Sequence, residues 1–79
     1  MRILLVEDDQ ILVELLSTTL AQQSYAIDVA TDGEQGWIYG STYTYDLIIL
    51  DWSLPKLDGI QLCQRFRAHN YDTPIILLT

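Results

Sequence analysis

Asp46-Leu47-Ile48-Ile49-Leu50-Asp51-Trp52-Ser53-Leu54-Pro55-Lys56-Leu57-Asp58-Gly59 is the stretch on which the reading of this chain turns. Leu47 to Leu50 is an unbroken apolar run with two β-branched residues, bounded by acids. A strand with one wet face alternates apolar and polar residues. A continuous run predicts a strand covered on both faces, as in a parallel sheet. The run stops at a carboxylate, Asp51, and then enters a turn holding Pro55 and Gly59. Open α/β sheets bind ligands just beyond the carboxyl ends of their strands. Asp51 is therefore the first candidate for chemistry.

Working outward, Arg2 to Val6 is a second apolar run, halted by Glu7-Asp8-Asp9. From Gln10 to about Gln22 the residues Ile11, Leu12, Leu15, Leu16, Thr19 and Leu20 recur at helical spacing, with Asp9 placed to cap the helix. Ser24-Tyr25 is a short link to a strand over Ala26 to Ala30, in which Asp28 predicts an edge position. Thr31-Asp32-Gly33-Glu34 reads as a capping box that opens a second helix through Trp37, Ile38 and Tyr39, ended by Gly40 and Ser41 to Tyr45. Beyond the central strand, Asp58 caps a third helix over about Gly59 to Ala68, with Ile60, Leu62, Cys63 and Phe66 turned inward and His69-Asn70 as its stop. Asp72-Thr73-Pro74 leads into a last strand, Ile75 to Leu78, which ends on Thr79. The order β-α-β-α-β-α-β predicts one domain with a parallel sheet, helices on both faces and right-handed crossovers.

The bulk numbers exclude several classes. The 79 residues leave room for one small domain, and eleven acids against four bases give a net charge of -7. That charge argues against non-specific nucleic-acid or anionic-membrane binding and favours divalent cations and basic partners. The longest apolar runs fall far short of the ~20 residues that span a bilayer, and no leader segment is visible. Cys63 is the sole cysteine, which leaves no disulfide framework and no Cys-rich metal site. The expected location is the cytoplasm. Mean hydropathy is nevertheless positive, +0.15, with 49% hydrophobic residues, which is much apolar surface for so small an interior.

Three strands thus end in polar groups: Glu7-Asp8-Asp9, Asp51 and Thr79. In a parallel sheet these ends share one rim, which would bring Asp8 and Asp51 within a few ångströms. Each acid taken singly is more often a helix cap or a solvated charge; their convergence is what points to chemistry. Close carboxylates raise each other's proton affinity unless a cation neutralises them. Mg²⁺ suits carboxylate and carbonyl oxygens and bridges to phosphate oxygens. A nucleotide-binding loop is not supported, since neither Gly-x-Gly-x-x-Gly nor Gly-x-x-x-x-Gly-Lys is present.

Ile-Leu-Leu-Val-Glu-Asp-Asp at 3–9, Asp-Leu-Ile-Ile-Leu-Asp-Trp-Ser-Leu-Pro-Lys-Leu-Asp-Gly at 46–59 and Pro-Ile-Ile-Leu-Leu-Thr at 74–79 resemble, in order and spacing, the receiver domain of two-component response regulators. The opening and the Leu-Pro-x-x-Asp-Gly turn are most similar to the winged-helix transcriptional regulators of the OmpR/PhoB type. The resemblance implies a flavodoxin/CheY-like sheet of order 2-1-3-4. It implies Asp51 as phosphoacceptor for a partner histidine kinase, in a signalling module and not a classical enzyme. It also implies Mg²⁺ held by Asp8, Asp51, the Ser53 backbone carbonyl and Glu7, the last through water or as a support. Thr79 would be the switch hydroxyl, and Asp9 only a cap.

Set against that pattern, the chain stops after the fourth strand. The expectation is an incomplete receiver over 1–79, without the fourth helix, fifth strand and fifth helix, and without the lysine of that fifth strand. A DNA-binding output domain, through which alone DNA contact is expected, is missing likewise. Ile75 to Leu78 would then be a bare apolar edge, and self-association as a dimer through that edge is expected. An alternative stays open: an interaction module that keeps the fold and works without phosphorylation. Cys63 is expected to be a small buried hydrophobe, His69 a solvated helix-end residue, and Trp52 a gate beside Asp51.

Overall fold

The computed structural model describes residues 1–78; Thr79, the expected switch hydroxyl, lies outside the described residues. Four strands and three helices alternate: β1 (Arg2–Val6), α1 (Gln10–Gln22), β2 (Ala26–Ala30), α2 (Gly33–Thr42), β3 (Leu47–Asp51), α3 (Gly59–Ala68) and β4 (Ile75–Leu78). All neighbours pair in parallel, in the order β2-β1-β3-β4. The expected open parallel α/β sheet is the one observed. No helix among the described residues is long and apolar enough to cross a membrane.

Alternation along the strands divides the core. Leu4, Val6, Ile48 and Leu50 point to the side covered by α2 and α3, where they meet Leu54, Leu62 and Phe66. Ile3, Leu5 and Ile49 point to the other side, against Leu16 and Leu20 of α1. Cover is unequal. Two helices shield the first face, whereas α1 alone lies on the second and contains no fully buried residue. Ile11 and Leu15, expected on the apolar stripe of α1, are 80% and 61% exposed. The helical spacing is real, but the sheet below is too narrow to receive the whole stripe.

Helix ends correct two expectations. The cap of α2 is Asp32, not Thr31: its Oδ1 accepts from the Gln35 N–H at 2.8 Å, while Gln35 Oε1 accepts from the backbone and hydroxyl of Thr31. Gly40 does not end α2 either. The helix runs on to Thr42 because Gly40 lies under the Phe66 ring, where a Cβ would come within 2.3 Å of Cζ. At α3 the expected cap holds as a full box, Asp58 receiving the Gln61 N–H and Gln61 receiving the Asp58 N–H. Its stop is built by Asn70 at φ 64°, with Asn70 N–H on Arg67 O and Tyr71 N–H on Phe66 O. This is the left-handed termination that Asn tolerates. Cys63 is half-buried against the core, and His69 caps the helix end in the open.

Asp28 sits on β2, which is an edge strand as expected. Its carboxylate accepts from Tyr45 OH at 2.7 Å and pairs with Arg2 at 2.9 Å. The phenol hydrogen bond, helped by Arg2 and opposed by burial, holds the Asp28 carboxyl below its ordinary value of 3.8. A depressed carboxyl stabilises the folded chain above that ordinary value and loses the contribution as pH falls through the lower folded one. Asp28→Asn is therefore expected to lower the melting temperature near neutral pH. The gap from the unsubstituted protein should close on acidification below about 3.8, as thermal unfolding across a pH series would read.

Candidate functional site

β1 and β3 lie side by side in a register that sets Val6 opposite Leu50. The residues that follow, Glu7 and Asp51, therefore leave the sheet at the same level of the carboxyl rim. Glu7 N–H is fixed by Ala30 O at 3.0 Å, which carries the β1–β2 pairing one step past the strand. Ligand atoms of Glu7, Asp8 and Asp51 all lie within 4.8 Å of one another. The convergence expected from the alternating pattern is present.

Burial within the trio is graded. Glu7 is 2% exposed, Asp51 half-buried and Asp8 open to solvent. Glu7 Oε2 accepts from the Asp8 and Asp9 N–H groups at 3.1 and 3.2 Å, whereas Oε1 is buried without a hydrogen-bond partner. Burial pushes the Glu7 carboxyl above its ordinary range, and Asp51 pushes it further, against the lowering by those two N–H groups. A buried carboxylate oxygen without a donor, facing two more carboxylates, fits a hard divalent cation, which would satisfy that oxygen and offset most of the trio's charge. Asp9 turns away to cap α1, accepting from Ile11 and Leu12 N–H, and is not part of the cluster.

The turn after Asp51 is fastened at several points. Trp52 N–H bonds Leu78 O at 2.9 Å and Gly59 N–H bonds Trp52 O at 3.0 Å. A Cβ on Gly59 would come within 2.2 Å of Asp51 O, so only glycine lets α3 start this close to the acid. Ser53 is exposed in this turn, outside the acidic trio, and Trp52 is 49% exposed beside it. Sequence reasoning missed the partners at the tip: Gly33 N–H donates to Pro55 O at 3.2 Å, and Lys56 Nζ lies 3.6 Å from Asp32 Oδ2. The one available signal was Gly33 itself, a poor helix former in the first turn of a helix. A side chain there would run into Leu57 O.

Fold and site together define an α/β protein with three carboxylates gathered on the carboxyl rim of its parallel sheet. The model of the response regulator receiver domain matches residues 3–79, and the chain belongs to that family. It is 61% identical over all 79 residues to protein RcaC of Microchaete diplosiphon, of which it spans 12%. It is 40% identical to the transcriptional regulatory protein QseB of Haemophilus influenzae, of which it spans 36%. Among solved structures, 99% of the chain superimposes on the receiver domain of a Pseudomonas aeruginosa sensor histidine kinase at TM-score 0.95 and 34% identity, covering 66% of it. That structure carries a magnesium ion coordinated in the active site cleft. The response regulator TrrA of Thermotoga maritima, in complex with Mg²⁺ and BeF, matches at TM-score 0.92 and 38% identity, over 99% of this chain and 68% of that one.

Proposed function

We propose that residues 1–79 act as a receiver module that takes a phosphoryl group from a histidine kinase onto Asp51, in the cytoplasm, with Mg²⁺ bound at Glu7, Asp8, Asp51 and the Ser53 carbonyl. The observation that carries this reading is the trio itself: three carboxylates within 4.8 Å, one with a buried oxygen that has no donor. An Asp51 oxygen attacks phosphorus, the P–N bond of the phosphohistidine breaks, and the electron pair leaves on the imidazole. The product is an acyl phosphate on Asp51, so the module is the acceptor in the transfer and no turnover is needed. Phosphoryl transfer depends mainly on positioning and charge stabilisation, and bound Mg²⁺ supplies the charge. Glu7, pinned by two N–H groups, orients the rim. Thr79, next after β4, is assigned the switch hydroxyl, and transcriptional output is assigned to a DNA-binding partner domain. The test is intact mass after incubation with a small phosphodonor, with and without Mg²⁺. One added phosphoryl, dependent on the cation, supports the reading.

Self-association through β4 forms part of the proposal. No described strand pairs with its outer edge, and Ile76 is 50% exposed on the same side of the sheet as α1, which adds exposed Ile11 and Leu15. A row of free backbone groups flanked by apolar side chains recruits another chain. Sedimentation should show a mass that rises with concentration, reduced to the monomer by Ile76→Lys. A monomer at all concentrations would refute this. Association that persists in a chain unable to take up phosphoryl would favour an interaction module working without phosphorylation.

A further inference from the structure

The tip of the turn that follows Asp51 has an unusual backbone. Lys56 has φ 69°, and Leu57 N–H bonds back to Pro55 O at 2.8 Å, across Lys56 alone. Together these make a γ-turn with a left-handed centre, a rare and strained form. A left-handed backbone is disfavoured at any residue with a Cβ, and such strain persists only where the surroundings fix it. Here they do. The strained lysine reaches Asp32 at 3.6 Å, and the carbonyl before it receives the Gly33 N–H. Asp32 is nearly buried, and its other oxygen is committed to the start of α2. Two residues before it, Ala30 O holds the N–H of Glu7. One short path therefore joins the turn tip to the buried member of the acidic trio.

We propose that Lys56, paired with Asp32, latches this turn onto the start of α2 and acts as a positioning residue for cation binding at Glu7, Asp8 and Asp51. The inference rests on the cation reading given above. The Trp52–Asp58 segment is anchored at its base by Gly59 on Trp52 O and at its tip by Gly33 on Pro55 O. With the tip released, the segment keeps its base and the buried Leu54 side chain but loses its hold on the start of α2, and the mutual repulsion of the three carboxylates meets a looser frame beyond Asp51. The latch holds them close before the cation arrives. Preorganisation of this kind raises affinity by removing an ordering cost from the binding step.

Charge and position make opposite demands on Lys56, which gives the proposal a sign test. Losing a cation from an acidic rim strengthens the local negative potential, so charge alone predicts tighter Mg²⁺ binding by Lys56→Met. Loss of the latch predicts weaker binding. The expected result is a dissociation constant for Mg²⁺ raised by about threefold to fivefold in Lys56→Met, the scale of a partly exposed ion pair. Lys56→Arg should bring it back within about twofold of the original, since it keeps the charge in reach of Asp32. Calorimetric titration of the purified chain with MgCl₂ reads this directly. Hydrogen exchange at the Gly33 amide, read in parallel, should accelerate in Lys56→Met only. Equal or tighter binding by Lys56→Met, failure of Lys56→Arg to restore it, or unchanged Gly33 exchange overturns the latch. No saturable titration in the unsubstituted chain overturns the cation reading, and the latch falls with it.

Discussion

Asp51→Asn is expected to gain no phosphoryl group under conditions in which the unsubstituted chain gains one, and to bind Mg²⁺ at least ~10-fold more weakly, on the scale of losing a metal-site group. The substitution replaces a carboxylate oxygen by an amide of the same shape. The amide has no charged oxygen to attack phosphorus and offers a cation only a neutral carbonyl. The strand should tolerate it. Asp51 closes β3 opposite Leu78 and is only half-buried, and the ties of the following turn run through backbone groups of Trp52 and Gly59. A second consequence follows at Glu7, whose carboxyl Asp51 helps to push upward. Removing that charge lets Glu7 fall back toward its ordinary range, leaving burial as the main upward cause. Intact mass after phosphodonor treatment and a calorimetric Mg²⁺ titration check the two effects separately. A phosphoryl group still gained by Asp51→Asn would move the acceptor to another acid of the rim, and the assignment would be wrong.

The legible parts of this protein are those that depend on pattern. Leu47 to Leu50 could be read as a doubly covered strand because no polar residue interrupts it, and with the alternation of strands and helices that implied the parallel sheet and the shared rim. From the rim the meeting of Asp8 with Asp51 followed. The illegible parts depend on contacts between segments that no local pattern encodes. Gly40 resembles a helix stop, yet it is a gap cut for Phe66, which is 26 residues further along the chain. Lys56 resembles a solvated loop lysine, and only the fold shows its left-handed backbone and its reach to Asp32. Ile11 and Leu15 belong to an apolar stripe in sequence but not to the core, because the periodicity gives the face of a helix and not the width of what it packs against.

The contact between Gly40 and Phe66 leads to the largest expected change in stability. Phe66 is fully buried between α2 and the sheet, with ring centroids 5.4 Å from Trp37 and 6.1 Å from Tyr71. Phe66→Ala should cost about 3–5 kcal/mol, the usual range for removing a buried ring and leaving a cavity. A domain of this size holds only about 4–12 kcal/mol in total, taking ~0.05–0.15 kcal/mol per residue. Much of the chain should therefore be unfolded at room temperature, or the urea midpoint displaced far downward. Gly40→Ala alone should also destabilise, by about 1–2 kcal/mol. Its Cβ would sit 2.3 and 2.5 Å from Phe66 Cζ and Cε1, and overpacking of that kind outweighs the ~1 kcal/mol that alanine gains over glycine within a helix. The two effects are not independent, and their coupling has a definite direction. In the Phe66→Ala background the ring that opposes a Cβ at position 40 is gone. There Gly40→Ala keeps its helix-propensity gain and partly fills the cavity, so its effect should change sign and become stabilising. Urea denaturation of the four proteins, with Mg²⁺ absent, reads the cycle. Additive losses would mean that α2 and α3 shift apart to admit the methyl group and that Gly40 is not held against the Phe66 ring.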